Sequence, residues 1–172
     1  MARPGVAGIA PVVVLAWLAM LGADLLLNAA LFARLYLDGG NGFLLPPTEL
    51  FRRIPLGYLA FLVLAALTGW LARGLRVQGW REGLGFGLAL GVPFALAWSL
   101  SLLSLATLSV EQALIFGTVL LVLVAIAGVV VGIGLGRAKL RGLTLGVIAF
   151  DVACLVLVVL LQSFGVVPVL RG

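Results

Sequence analysis

An all-helical bundle of about five membrane-spanning segments is the fold class predicted by this 172-residue sequence. Three observations carry that expectation. Hydrophobic residues make up 64% of the chain and charged ones only 10%, with a mean hydropathy of +1.32, well outside the range of soluble domains. Five apolar runs, at roughly 10–33, 54–73, 83–107, 113–135 and 143–168, are each long enough to cross about 30 Å of hydrocarbon at about 1.5 Å per residue. None alternates polar and apolar residues as a barrel strand does, and backbone in lipid must satisfy its own polar groups, so each run reads as a helix. Residues 1–172 then form a single transmembrane domain whose first partner is the lipid bilayer.

The first run follows a basic start, "MARPG", much as a signal peptide would. It continues for more than about twenty residues, too long for a signal core, and so predicts an uncleaved first span. The first loop, "RLYLDGGNGFLLPPTELFRR", is the longest; its glycines are flexible, while "PPTELFRR" predicts a short interfacial helix leading into the second span. That loop is also a candidate lid over an outward-facing cavity. Trp70, Trp80 and Tyr36 lie near span ends and read as interface anchors. The second loop, "GLRVQGWRE", and the fourth, "GRAKLRG", are basic, whereas the third, "LSVEQ", is marked chiefly by Glu111 and Gln112.

Orientation follows from the cations. Arg3, Arg73, Arg76, Arg81, Arg137, Lys139 and Arg141 fall on one side, and Arg34, Arg52, Arg53 and Arg171 on the other. The positive-inside rule then puts the amino terminus in the cytoplasm and the carboxyl terminus outside, in a membrane of the bacterial inner-membrane type.

Composition also removes several functions. The formal charge of +5 and pI of about 10.7 come from cations scattered between apolar runs, with no basic face for a nucleic acid. The absence of histidine excludes imidazole ligation of haem or metal and any Ser–His or Cys–His pair within the chain. Cys154 has no second cysteine for a disulfide and sits in an apolar run as a small hydrophobe. No cofactor or metal site is expected. No Gly-x-Ser-x-Gly elbow or metal-spaced acid cluster appears, which argues against an enzyme.

Small residues recur every fourth position in the third span, at Gly83, Gly87, Gly91, Ala95 and Ser99, and again in the fourth at Gly128, Gly132 and Gly136. Such rows flatten one helix face and let a neighbouring backbone approach closely, so they predict helix packing, either within the chain or on a partner. Pro93 interrupts the third span, frees the Ala89 carbonyl and predicts a kink. Ser99, Ser101, Ser104 and Thr107 follow it, a polar half-helix suited to lining a pathway or to bonding back to the helix.

The ionisable residues inside spans are the sharpest functional signal. Asp24 and Asn28 lie one turn apart on one face of the first span. In the fifth, Asp151 shares a stripe with Thr144 and Gln162, all within about 20° at 100° per residue. Counted along their helices, Asp24 and Asp151 sit about 21 Å and about 13 Å from the cytoplasmic ends of their spans. A carboxylate in mid-bilayer costs at least about 2.5–3.5 kcal/mol, so each acid must be neutralised, hydrogen-bonded or wetted. Three readings stay open for Asp24, Asn28, Asp151, Gln162 and Ser99: structural hydrogen bonding between helices, a cation or proton pathway, and a pocket for a small ligand or lipid headgroup.

Taken together, "LNAALFARLY", the long loop, and "LGYLAFLVLAALTGWLARG" followed by "GWREGLGFGLALGVPFALAW" resemble groups of small bacterial membrane proteins of about four spans with no assigned activity. The resemblance covers about residues 15–137; it leaves Asp151 outside and implies no substrate. The function expected is that of a small non-enzymatic membrane protein, an accessory or assembly subunit of a larger membrane complex or a self-associating bundle. The alternatives are a small transporter or substrate-binding component using Asp24, Asn28 and Asp151, and, third, an intramembrane enzyme acting on lipid.

Overall fold

The structure, a computed structural model, describes residues 8–33, 47–137 and 139–167. Among these, five helices are long and apolar enough to cross a membrane, and the protein is an all-α multi-pass membrane bundle. α1 runs from Ile9 to Leu26 and continues through a wide π-type turn, Leu27–Leu31. α2 spans Pro47–Gly74, α3 Trp80–Leu105, α4 Val110–Leu135 and α5 Arg141–Ser163. The glycine-rich first loop, with Tyr36 and the lid suggested for it, lies outside the described residues, as do Arg3 and Arg171.

α2 corrects one expectation. The segment "PTELFRR" is not a separate interfacial helix but the first turns of a helix that continues through Pro55. Pro47 occupies the opening position, where a missing N–H is no loss, and Glu49 in the first turn suits the helix dipole. Glu49 also pairs with Arg53 at 3.8 Å, one turn on. Pro55 removes one backbone bond, too little to stop a helix supported on both sides. α3 likewise runs unbroken through Pro93, whose ring is exposed.

The connections are tight and chemically specified. α2 ends in a Schellman-type turn: Arg76 takes φ +59°, and the Val77 N–H reaches back to the Ala72 carbonyl at 2.9 Å. Gly79 follows at φ +85°, a conformation that favours glycine, and its N–H donates to the Gly132 carbonyl at 2.8 Å, fastening this loop to the end of α4. The split between α3 and α4 is set by a capping box. The Ser109 hydroxyl accepts from the Gln112 N–H at 3.1 Å, and the Gln112 side chain accepts from the Ser109 N–H at 3.0 Å. Ser109→Ala is therefore expected to lower stability by about 1 kcal/mol in a reversible unfolding titration in bicelles, while leaving helix content unchanged. α5 ends at Ser163, five residues before the limit expected from hydropathy. Gly165 at φ +68° and the Val166 N–H on the Leu161 carbonyl at 3.0 Å close it.

α1 is the hub. Its buried face, including Val12, Ala16, Ala19 and Met20, packs with Ala65 and Ala72 of α2, Leu123, Ala127 and Val131 of α4, and Leu143 and Val147 of α5. Trp17 adds a bond from its indole N–H to the Tyr58 carbonyl of α2 at 2.8 Å. α3 leans almost entirely on α4 and scarcely touches α2, although only a short loop joins those two. The reason is the pair of small-residue rows. Gly83, Gly87, Gly91, Ala95 and Ser99 are the buried residues of α3, and Gly83 and Gly87 meet Gly128 and Gly132 with backbone almost against backbone. Gly136 lies beyond α4 as its cap, beside the Gly79 loop. Lipid is as apolar as leucine, so close van der Waals packing of this kind is what draws α3 to α4.

Candidate functional site

Because α3 is drawn to α4 while α2 packs on α1 and α4, a wedge opens between α2 and α3. It holds a cavity of about 550 Å³, within the range of small-molecule sites. α1 supplies Asp24 and Asn28; α2 supplies Phe61 and Leu64; α3 supplies Phe94 and Trp98; α4 supplies Phe116, Val119 and Leu123. Asp24 sits fifteen residues into α1, about 22 Å along its axis, so the cavity lies within the membrane-crossing part of the bundle. The rest of the wall is hydrocarbon and aromatic ring.

The polar corner is built locally. Asp24 and Asn28 are one turn apart, and the Asn28 amide donates to Asp24 Oδ1 at 2.6 Å. Asn28 belongs to the wide turn Leu27–Leu31, where the Phe32 N–H bonds five residues back to the Leu27 carbonyl at 2.8 Å. Turns of this type loosen helical register and occur often at functional sites. Among the described residues no lysine or arginine forms an ion pair with Asp24; Asn28 contributes a hydrogen bond but no charge.

Asp151 is elsewhere. Its Oδ1 is packed against Gly22 on α1, buried and without a hydrogen-bond partner among the described residues. Residues 22 and 24 differ by about 200° around a helix, so the two aspartates lie on opposite sides of α1. Asp24 faces the cavity and Asp151 the α1–α5 seam. The other polar residues of the α5 stripe are engaged in structural bonds. The Thr144 hydroxyl donates to its own helix at the Leu140 carbonyl, 3.1 Å, and Gln162 Nε2 donates to the Ala29 carbonyl of the wide turn, 3.4 Å. Ser99 is buried on the far face of α3, where its hydroxyl donates to the Ala113 carbonyl of α4 at 2.9 Å. Of the five polar residues singled out from the sequence, the fold gathers only Asp24 and Asn28 at one cavity.

The sequence did not point to the aromatic wall or to Gly22. A signal for the wall existed: Phe94 and Trp98 lie one turn apart in the interior of a span, away from the interface where aromatic residues anchor. Gly22 has no such signal, since a lone glycine inside an apolar run reads the same whether or not a carboxyl rests on it. No protein-family model, curated protein or solved structure significantly matches this chain.

Proposed function

We propose that this chain is a small non-enzymatic membrane component that binds a small, largely apolar molecule inside the bilayer, in the cavity between α2 and α3. The single observation that carries this reading is the composition of that cavity: about 550 Å³ of apolar and aromatic wall with one polar corner, Asp24 and Asn28. Sites for small molecules have this makeup, a hydrophobic envelope with a few placed polar groups that fix orientation. A structural role alone would seal an aspartate among its partners, as Ser99 is sealed between α3 and α4; it would not leave it bordering a space.

The bias of cations toward the loops after α2 and α4 supports a cytoplasmic amino terminus. The cavity then falls in the outer half of an inner-membrane-type bilayer.

The test uses the full chain in neutral detergent micelles, with Trp17, Trp70 and Trp80 replaced by phenylalanine so that Trp98 is the sole donor for energy transfer to neutral N-phenyl-1-naphthylamine. Saturable transfer at one probe per chain is expected. Filling the cavity with Ala60→Phe and Ala97→Phe together should weaken it by about tenfold or more while circular dichroism is unchanged. Transfer that rises in proportion to added probe, and equally in the filled variant, would overturn the reading.

A further inference from the structure

Resting on that reading, we infer that the class of molecule taken is a lipophilic organic cation, a bulky apolar body around a positively charged nitrogen or phosphorus. Asp24 borders the cavity deep in the bundle, and a carboxylate there calls for a counter-charge that the described part of the chain does not supply as an ion pair. Asn28 offers it a neutral hydrogen bond at 2.6 Å. Around this corner stand Phe61, Phe94, Trp98 and Phe116. Aromatic faces carry negative potential and attract a diffuse cation, most strongly where water is excluded. A carboxyl among aromatic rings is therefore complementary to a cation whose charge is spread over an apolar body.

The same wall discriminates against other cations. A hard metal ion requires about six or more oxygen ligands, and here the polar lining is one carboxyl and one amide. A proton or small-ion route would need polar groups continuing away from Asp24. Asp151 and Ser99, the nearest candidates in the sequence, lie instead at the α1–α5 and α3–α4 seams. An apolar body also has an approach, because α2 and α3 scarcely touch where the cavity lies between them.

The decisive comparison uses two ions of the same shape and opposite charge, tetraphenylphosphonium and tetraphenylborate, as competitors for the neutral probe in the Trp98-only protein. The phosphonium is expected to displace the probe at a concentration about tenfold or more below that of the borate. In Asp24→Asn that preference should collapse toward unity, with an unchanged circular dichroism spectrum reporting that the variant is folded. Saturable probe binding with equal displacement by the two ions, or stronger displacement by the borate, would overturn the cation assignment and leave the cavity reading standing. Probe binding that never saturates would remove both. Should Asp24→Asn fail to fold, the ratio in the parent protein still decides.

Discussion

Gly128→Ala is expected to destabilise the bundle by about 2–3 kcal/mol, the upper part of the range for forcing atoms into a close-packed contact. A β-carbon at that position would lie 2.5 Å from the Gly83 carbonyl oxygen and 2.7 Å from Gly87 Cα, both on the backbone of α3. No side chain can rotate away to relieve such a contact, so α3 must move outward along its length. Gly132 presents the same problem one turn on, with Gly79 O at 2.5 Å and Gly83 Cα at 2.8 Å. The matching control is Gly85→Ala, where the added carbon meets nothing within 4 Å. Alanine is the better helix former there by up to about 1 kcal/mol, so that variant should be neutral or slightly more stable. Reversible unfolding in bicelles distinguishes the two. Equal effects at Gly85 and Gly128 would mean that the glycine rows do not set the α3–α4 distance.

The second large effect concerns Gly22 and Asp151. An alanine at Gly22 would drive its β-carbon into Asp151 Oδ1 and to 3.2 Å from Asp151 Cα, with an expected loss of about 2 kcal/mol. Asp151→Ala should act in the opposite direction. It removes a buried carboxyl oxygen that has no hydrogen-bond partner among the described residues, and an unsatisfied group of this kind costs about 1–3 kcal/mol. Combining Gly22→Ala with Asp151→Ala should recover most of what Gly22→Ala alone loses, since the principal clash is gone; contacting residues couple by about 0.5–3 kcal/mol in such cycles. Additive behaviour of the two substitutions in the same unfolding assay would show that they do not touch. Asp151→Ala should also leave probe binding at Trp98 unchanged, because the residue lies across α1 from the cavity.

These contacts indicate what the sequence could and could not convey. Long apolar runs and charge-marked loops are local properties, so the five helices were legible from one end of the chain to the other. The glycine rows were legible for the same reason: a four-residue period places small side chains on one face whatever that face meets. Helix ends were partly legible. Ser109 with Gln112 three residues on is a capping-box pattern, and Gly165 after "QSF" is a stop signal, yet hydropathy alone carried the fifth span past it. The candidate site was half legible. Asp24 and Asn28 share a face by spacing, whereas the side of α1 on which Asp151 falls depends on how α5 docks, and no stripe on α5 encodes that. The cavity itself is a negative of the packing: it exists because α2 packs on α1 and α4 while α3 packs almost entirely on α4, which leaves these two sequence neighbours apart.

The union of α3 with α4 has a consequence for biogenesis. Its contacts lie between consecutive segments joined by only residues 106–109, and its inward polar group, the Ser99 hydroxyl, is already satisfied by Ala113. A pair so short in sequence separation closes quickly, because little chain entropy is lost in bringing its ends together. This hairpin can therefore leave the insertion machinery as a finished unit while α5 is still being synthesised, and what remains is the docking of α1 and α2 onto α4 and of α5 onto α1, where Asp151 meets Gly22.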